Sequence, residues 1–224
     1  MAHTLFAAKL PSSEPLTGRR VFIASLHWNN EDILRDGWSD ALVELVERLR
    51  GNINGYSNVY VSVYESGSWD GTKAALQELD VRMGQHNIAR RIVIDNTTHA
   101  DVMASPPADG KGWVKDEDGK SRLRRIPYLA GLRNKVLEPL WEQQERGVNY
   151  DHILFLEDVL FRANEVETLL STNNGNYEAA CAVDVKTPPY LYDTFALRDN
   201  EGHAPLMLRW PCPKLLERYG GDAH

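Results

Sequence analysis

Two adjacent carboxylates, Glu157 and Asp158, follow an apolar run over residues 153–156 that predicts a buried strand. Carboxylates at the end of such a strand are costly unless they are paired or bind a metal ion. Their oxygens suit a Mg²⁺ or Mn²⁺ ion that bridges substrate phosphates, while a helix cap formed by Asp158 is the alternative. Because successive strand side chains point to opposite faces, we expect at least one of the two to be a metal ligand.

Arginines cluster in the segment before this strand. The basic residues are Arg122, Arg124, Arg125 and Arg133, and Asn134 follows the last of them. Guanidinium groups present their donors in a fork that fits a diphosphate. Arg125 and Arg133 lie two turns apart on a predicted helix and therefore can share a face. The alternative is a solvated helix face whose arginines pair with surface carboxylates.

Polar side chains also follow the first two predicted strands. They are Ser25, His27, Asn29 and Asn30 at the first strand and Glu65, Ser66 and Ser68 at the second. We expect this set to contact a nucleotide, with Glu65 accepting hydrogen bonds from a base or a ribose. The alternative is ordinary helix capping, by Asn29 or Asn30 after the first strand and by Ser68 after the second.

A further cluster combines aromatic residues with carboxylates near the end of the chain. It comprises Asp184 and the segment Tyr190–Asp199, which includes Asp193. Such a mixture suits a sugar, because apolar ring faces stack and hydroxyl groups need acceptors. An amphipathic loop that packs on the sheet explains the same residues equally well.

The elements that must position these residues alternate between apolar runs and helical patterns. Strands are predicted at 21–27, 59–64, 91–95, 152–156 and 179–183, and helices at 33–49, 73–83, 125–146 and 165–171. We expect Pro139 to kink or end the third helix. This alternation predicts a mostly parallel sheet flanked by helices, with ligands at the carboxyl ends of the strands. Residues 96–121 are expected to form a long flexible loop.

Composition excludes several classes of protein. The chain has 224 residues, of which 42% are hydrophobic and 25% charged, and its formal net charge is -7. These values are typical of a soluble globular domain, and the acidic balance argues against general nucleic-acid binding. The first twenty residues contain no apolar run long enough for a membrane helix. We therefore expect a soluble chain without a membrane segment, of an oligomeric state that the sequence does not indicate.

Five segments resemble, in the same order, the fungal cryptococcal mannosyltransferase family, which comprises α-1,3-mannosyltransferases of glycosyltransferase family 69. The segments are VFIASLHWNNE, NVYVSVYESGSWDGTK, RRIPYLAGLRNKVLEPL, ILFLEDVLF and YEAACAVDVKTPPYLYDTFALRD. In addition, ESGSWDGT resembles the NDGSTDGT turn of other glycosyltransferases with the GT-A fold. LRN is similar to their helix-borne ARN, and FLED stands where their Asp-x-Asp metal motif falls.

The resemblance implies a GT-A-like, Rossmann-type α/β domain over residues 21–199, between an N-terminal tail (1–20) and an unassigned C-terminal tail (200–224). It implies GDP-mannose as the donor and Mn²⁺ or Mg²⁺ as the cofactor. The reaction would be a retaining transfer of mannose to a mannose hydroxyl of a glycan. Family members are type II membrane proteins of the Golgi lumen, which is therefore the expected location.

The resemblance also assigns roles to residues. Asp158, with help from Glu157, would hold the metal ion, while Arg125, Arg133 and Asn134 would contact the diphosphate. Asp193 would orient the acceptor hydroxyl or the donor mannose. Ser25, Glu65, Ser66 and Ser68 complete the expected nucleotide site.

Two departures from the family pattern limit what the resemblance implies. First, Glu157 stands where the family usually has Asn. Second, family members begin with a membrane anchor and continue well past the position of Asp199, whereas this sequence starts without such an anchor and runs only to His224. We therefore expect a truncated acceptor part, and the alternative function is a truncated or degenerate module that binds nucleotide sugar or glycan without transfer. A nucleotidyltransferase ranks lower, because the segment Leu26–Asn30 lacks the glycine-rich phosphate loop that such enzymes need.

Overall fold

A computed structural model describes residues 18–53, 56–107, 109–182, 185–187 and 190–191. Its strands are β1 (Val21–His27), β2 (Asn52–Ile53), β3 (Tyr56–Ser57), β4 (Val59–Ser66), β5 (Arg90–Asp95), β6 (Trp113–Lys115), β7 (Ser121–Leu123), β8 (His152–Phe155), β9 (Val185–Thr187) and β10 (Tyr190–Leu191). Its α-helices are α1 (Glu31–Ile33), α2 (Ser39–Leu49), α3 (Thr72–Gln85), α4 (His99–Ala104), α5 (Arg125–Glu145) and α6 (Ala163–Leu170). A π-helical turn, Leu34–Trp38, joins α1 to α2. The chain divides into two compact units whose boundary lies between Val159 and Leu160.

The first unit contains a four-stranded sheet with the strand order β5-β4-β1-β8. All three strand pairs are parallel, and in the β1–β4 pair Ser25 lies opposite Val63 and His27 opposite Glu65. The chain winds outward from β1 to β4 and β5 and then returns to the other side of β1 with β8. This order confirms the predicted Rossmann-like α/β fold. It also places the point where the winding reverses between β1 and β8, which is where ligands bind in such sheets.

Helix α5 covers one face of the sheet. Leu132, Val136 and Leu140 are spaced one turn apart, and they pack against side chains of β1 and β4 such as Phe22 and Tyr64. Successive side chains of β1 point to opposite faces of the sheet, so Ser25 and His27 lie on the face opposite to Phe22. That side is closed in part by the π-helical turn, because the ring of Trp38 packs edge-on against His27 with a centroid distance of 4.6 Å.

The segment 96–121 is not the irregular loop that its composition predicts. Helix α4 starts at a capping box, in which the Thr98 hydroxyl accepts a hydrogen bond from the Asp101 N–H and Asp101 accepts one from the Thr98 N–H. Strands β6 and β7 form an antiparallel hairpin. Its turn is held by Asp116, whose Oδ1 accepts the backbone N–H groups of Asp118 and Lys120. Hydrogen bonds from local side chains to the backbone therefore stabilise α4 and the hairpin, which the pattern of apolar residues does not predict.

Two further details of the sequence prediction can be compared with the structure. Pro139 lies inside α5, which continues to Glu145, so the helix does not end at this proline and spans nearly the whole predicted range of 125–146. In the second unit, the predicted strand over residues 179–183 is wrong, since residues 179–182 have no regular structure. The pairing strands are β9 and β10 instead. Residues 179–182 are three alanines and Cys181, which favour strands less than the β-branched Val185 and Thr187 do.

Helix α6 begins this second unit and buries Ala163, Val166 and Leu170, residues at helical spacing. Its predicted range of 165–171 agrees with the observed range to within two residues. Among the described residues of both units, no helix has the length and apolar content needed to cross a bilayer.

Candidate functional site

The two strand-end carboxylates take different partners at the carboxyl edge of the sheet. Glu157 Oε1 accepts hydrogen bonds from Arg133 of α5, at 3.0 Å from Nε and 2.8 Å from Nη2. Asp158 Oδ2 accepts one from Asn30 Nδ2 at 3.2 Å. The arginine expected to bind a diphosphate and the carboxylates expected to bind a metal ion therefore lie together, next to the switch point.

A buried chain of hydrogen bonds connects β1 to this edge. Ser25 Oγ donates to the carbonyl oxygen of Leu156 at 2.5 Å, and it lies 2.9 Å from His27 Nε2. Because the serine proton is directed to Leu156, Nε2 of the neutral ring carries the proton and donates to Ser25. Ser25 was expected to contact a nucleotide, but its side chain is buried and anchors β1 to the end of β8.

His27 is completely buried, and this burial lowers the pKa of its imidazole from 6.5 to about 4. Two effects act to raise this pKa: the hydrogen bond that Nδ1 of a protonated ring would donate to Asn30 Oδ1, 3.3 Å away, and the negative charge of Asp158. The imidazole is therefore neutral at pH 7, and the bond to Asn30 forms only when the ring is protonated.

Asn30 connects this chain to Asp158. Besides its bond to that carboxylate, its Oδ1 accepts the N–H of Trp28 at 2.9 Å, and its own N–H donates to Thr72 Oγ1 at 2.7 Å. Asn30 occupies the cap position of α1, yet its side chain makes no capping bond. The capping alternative is thus wrong for Asn30. Its sequence position predicted a nucleotide contact or a helix cap, not a bond to the strand-end carboxylate.

After β4, the carboxylate of Glu65 faces inward. Glu65 is fully buried, and its Oε1 accepts the N–H of Ser68. Its Oε2 has no hydrogen-bond partner in the described ranges and lies 4.0 Å from Lys73 Nζ. Ser68 Oγ accepts the N–H of Asn29 at 2.9 Å and does not cap α3, so the capping alternative is wrong here too. Ser66 is buried and lies opposite Asp95 in the neighbouring strand.

The turns after β1 and β4 are joined to one another. Asn29 Oδ1 accepts the N–H of Trp69 at 3.0 Å, and Asp70 Oδ2 accepts that of Glu31 at 3.2 Å. The rings of Trp28 and Trp69 meet edge to face, with a centroid distance of 4.9 Å. These contacts hold the two turns as one rigid rim at the carboxyl edge.

The end of β5 carries a cluster of polar side chains that the sequence did not predict. Tyr64 donates a hydrogen bond to Asp95 Oδ2, and Lys135 Nζ donates to the Tyr64 hydroxyl at 2.7 Å. Burial acts to raise the pKa of Asp95, but hydrogen bonds from Tyr64 and Thr97 outweigh it and lower this pKa to about 2. Asp95 is the last residue of β5, so a search for polar residues at the carboxyl ends of the strands would have found it.

The comparison with known proteins now decides the family. A model of the cryptococcal mannosyltransferase 1 family matches residues 20–217. The chain belongs to this family. The match includes the whole carboxyl edge described above, and it confirms the resemblance that the five sequence segments indicate. No curated protein and no solved structure matches the chain.

Some residues that the family resemblance assigns to the site are not joined to it. The side chains of Arg125, at the start of α5, and of Asn134 are exposed and form no hydrogen bond with another described residue. Arg122 pairs with Asp116 in the hairpin at 2.9 Å, as the alternative of a solvated arginine predicts. Asp193, like Asp184, lies outside the described residues.

The family resemblance also implies a divalent cation. Among the described residues, no group of three or more His, Cys, Asp or Glu side chains is arranged to hold one. Glu157 Oε2 and Asp158 Oδ1, however, have no hydrogen-bond partner in the described part of the chain. One or two carboxylates completed by substrate phosphates and water are the usual protein site for Mg²⁺. The residues present therefore fit such an ion when it arrives together with a phosphorylated substrate.

Proposed function

We propose that this member of the cryptococcal mannosyltransferase 1 family is a metal-dependent retaining glycosyltransferase. It moves mannose from GDP-mannose to a mannose hydroxyl of a glycan, an α-1,3-mannosyltransferase-like reaction. The observation that carries the proposal is the contact of Arg133 with Glu157 beside Asp158, at the switch point of the sheet. The resemblance to the family supplies the donor, the acceptor and the Golgi lumen as the location.

Asp158 and Glu157 would hold the cation, which when bound neutralises charge on the diphosphate leaving group. Arg133 has a forked donor that can serve a phosphate as well as a carboxylate. On substrate binding, its guanidinium exchanges part of its contact with Glu157 for a diphosphate oxygen. Arg125 and Asn134 contribute further donors from the same helix.

The nucleoside would lie along the rim formed by the turns after β1 and β4. Ser66 and Ser68 would offer their hydroxyl groups there, while the buried Ser25 and Glu65 hold the strand ends in place through their bonds to Leu156 and Ser68. Retention is consistent with attack of the acceptor oxygen on the face that the diphosphate leaves. The bond from the anomeric carbon to the phosphate oxygen then breaks, and that oxygen takes the acceptor proton. Asp193 orients the acceptor or the donor mannose.

The replacement Asp158→Asn tests this assignment, because it removes the charge and keeps the side-chain shape. We expect the rate of GDP release from GDP-mannose, with Mn²⁺ and a mannoside acceptor, to fall by about 100-fold or more. Asp118→Asn is the matched control, since Asp118 is an exposed carboxylate of the hairpin. Unchanged turnover in Asp158→Asn excludes Asp158 from the reaction.

One observation favours a second candidate, a module that binds nucleotide sugar without transfer. Arg133, which a transferase needs for its diphosphate, is already paired with Glu157, and Glu157 replaces the usual Asn of the family. Calorimetry with GDP-mannose and Mn²⁺ separates the two candidates when it accompanies the release assay. Binding without release of GDP identifies the module.

A further inference from the structure

A concave site lies at the amino-terminal edge of the sheet, opposite the edge that carries Glu157 and Asp158. It is a pocket of about 630 Å³, within the size range of small-molecule sites. Its walls are the residues at the start of β4 and just before β1 and β5, together with the last turns of α5 and the loop that follows this helix. All of these residues belong to the first unit.

The pocket is positively charged in a chain whose net charge is -7. Arg20, Arg91 and Arg146 line it, and Glu142 is its one carboxylate. Arg91 neutralises Glu142 through a fork of two hydrogen bonds, at 2.8 and 2.6 Å. The guanidinium groups of Arg20 and Arg146 form no hydrogen bond or ion pair with any described residue. Two cationic groups therefore remain for a ligand.

The pocket also contains uncharged hydrogen-bond donors. Gln143 Oε1 accepts a hydrogen bond from the Tyr150 hydroxyl at 2.6 Å, but the Gln143 Nε2 is buried and has no partner within the described part of the chain. The hydroxyl of Tyr60 also has no hydrogen-bond partner among the described residues. A buried donor such as Gln143 Nε2 rarely lacks a partner unless a ligand or water satisfies it, and the hydroxyl of the half-buried Tyr60 can donate to the same ligand. The ligand that fits them carries several acceptor atoms.

Aromatic rings form the inner wall of the pocket. Tyr60 stacks on Phe22 with a centroid distance of 5.6 Å and an interplanar angle of 14°. Tyr150 meets Phe22 edge to face at 5.5 Å. Pro139 and Val148 extend the apolar lining. The pocket therefore combines an anion-binding side with a surface against which a ring can pack.

The carboxyl end of α5 lies at this pocket, and a helix carboxyl end carries partial negative charge. Two of its last carbonyl groups nevertheless accept hydrogen bonds from the chain itself. Gln143 O accepts the N–H groups of Arg146 and Val148 at 3.0 and 2.9 Å, and Gln144 O accepts that of Gly147 at 2.9 Å. These bonds reduce the repulsion that an anion would otherwise meet.

We propose that this pocket binds a small organic anion, a phosphate monoester carried on a ring. The phosphate is held by Arg20 and Arg146 with help from the Tyr60 hydroxyl and Gln143 Nε2. Two forked cations and two neutral donors match three phosphate oxygens better than two carboxylate oxygens. The ring packs on the aromatic wall.

Isothermal titration of the full chain with phenyl phosphate at low salt tests this site. We expect binding that weakens about tenfold or more in Arg146→Ala and in Arg20→Ala, because each loses a charge-assisted hydrogen bond. Tyr60→Phe keeps the ring and its packing and should weaken binding less. Arg48→Ala is the matched control, since Arg48 is an exposed arginine of α2 that does not line the pocket.

The variant Arg133→Ala separates this pocket from the proposed donor site, because Arg133 lies at the other edge. Phenyl phosphate binding that persists in Arg133→Ala supports the pocket, whatever the outcome for glycosyl transfer. Loss of binding in Arg133→Ala, with full binding in Arg20→Ala and Arg146→Ala, overturns the proposal. Phenol that binds as tightly as phenyl phosphate overturns it too, since the anion would then contribute nothing.

Discussion

At the scale of single residues, Asn30 joins three parts of the carboxyl edge through one short side chain and its own N–H. It contacts Asp158 of the β8 end, Trp28 of its own turn and Thr72 at the start of α3. A buried polar group of this kind stabilises the fold only while all of its hydrogen-bond partners stay in place. The orientation of Asp158 therefore depends on Asn30.

Replacement of Asn30 by Ala should lower the free energy of unfolding by about 1–3 kcal/mol, because buried partners lose their hydrogen bonds. Urea denaturation measures this loss. Asn149→Ala is the control, since Asn149 is exposed, and its effect should stay within about 0.5 kcal/mol. If both variants unfold at the same urea concentration as the original chain, the Asn30 bonds contribute nothing to stability.

The buried imidazole of His27 predicts a pH dependence of stability. Its pKa in the folded chain is about 4, below the 6.5 of an exposed histidine. Between these values the unfolded chain binds a proton that the folded chain does not, so stability rises with pH through this window. The free energy of unfolding should therefore be about 2 kcal/mol lower at pH 5 than at pH 7 from this group alone.

Denaturation of His27→Gln at the same two pH values isolates that contribution from those of the carboxylates. Glutamine keeps a hydrogen-bonding side chain but does not titrate. We expect the drop in stability between pH 7 and pH 5 to be smaller in the variant by about 2 kcal/mol. An equal drop in both proteins contradicts the buried neutral imidazole.

At the scale of elements, the turn after β4 packs very close to the chain that leaves β5. Gly67 has φ of +64°, and a Cβ placed on it would lie 2.3 Å from the carbonyl oxygen of Thr97. Its N–H donates to Asp95 O at 3.1 Å. Only glycine allows this approach, which brings the ends of β4 and β5 together.

The substitution Gly67→Ala should therefore destabilise the fold by about 3 kcal/mol or more, from left-handed backbone strain and overpacking together. Gly147→Ala separates the two causes, because Gly147 has φ of +82° but nothing within 4 Å of an added Cβ. That variant should lose only about 1–2 kcal/mol, the strain alone. Chemical denaturation of both variants measures the difference, and equal losses would show that the close contact relaxes freely.

The sequence was sufficient to predict the parallel sheet, because strands such as β1 and β4 are nearly continuous apolar runs bounded by turn residues. It was not sufficient for α4 or the hairpin, whose order comes from side chains such as Asp116 that bond to nearby backbone. The partners of the site residues also could not be read from the chain. Arg133 and Glu157 are 24 positions apart and Asn30 and Asp158 are 128 apart, so their pairing depends on the order of the strands.

At the scale of the whole molecule, the two edges of one sheet carry separate groups of cations in a chain of net charge -7. Arg133 lies at the carboxyl edge with two carboxylates, whereas Arg20 and Arg146 line the pocket at the amino-terminal edge. Local positive charge would thus attract a phosphorylated ligand to the pocket although the total charge repels it, whereas at the carboxyl edge a bound cation would have to offset the two carboxylates. A ligand at one edge should bind independently of residues at the other.

Thermal unfolding tests this independence together with the proposed donor site. A ligand present at 100 times its Kd stabilises the folded chain by about 2.7 kcal/mol, which for a chain of this size raises Tm by roughly 5–10 °C. We expect GDP with Mn²⁺ to produce such a rise in the original chain and little or none in Asp158→Asn, because the variant lacks the carboxylate that holds the ion. Phenyl phosphate should raise Tm equally in both, since its pocket does not include Asp158. A GDP-dependent rise that survives in Asp158→Asn would place the nucleotide away from the carboxyl edge.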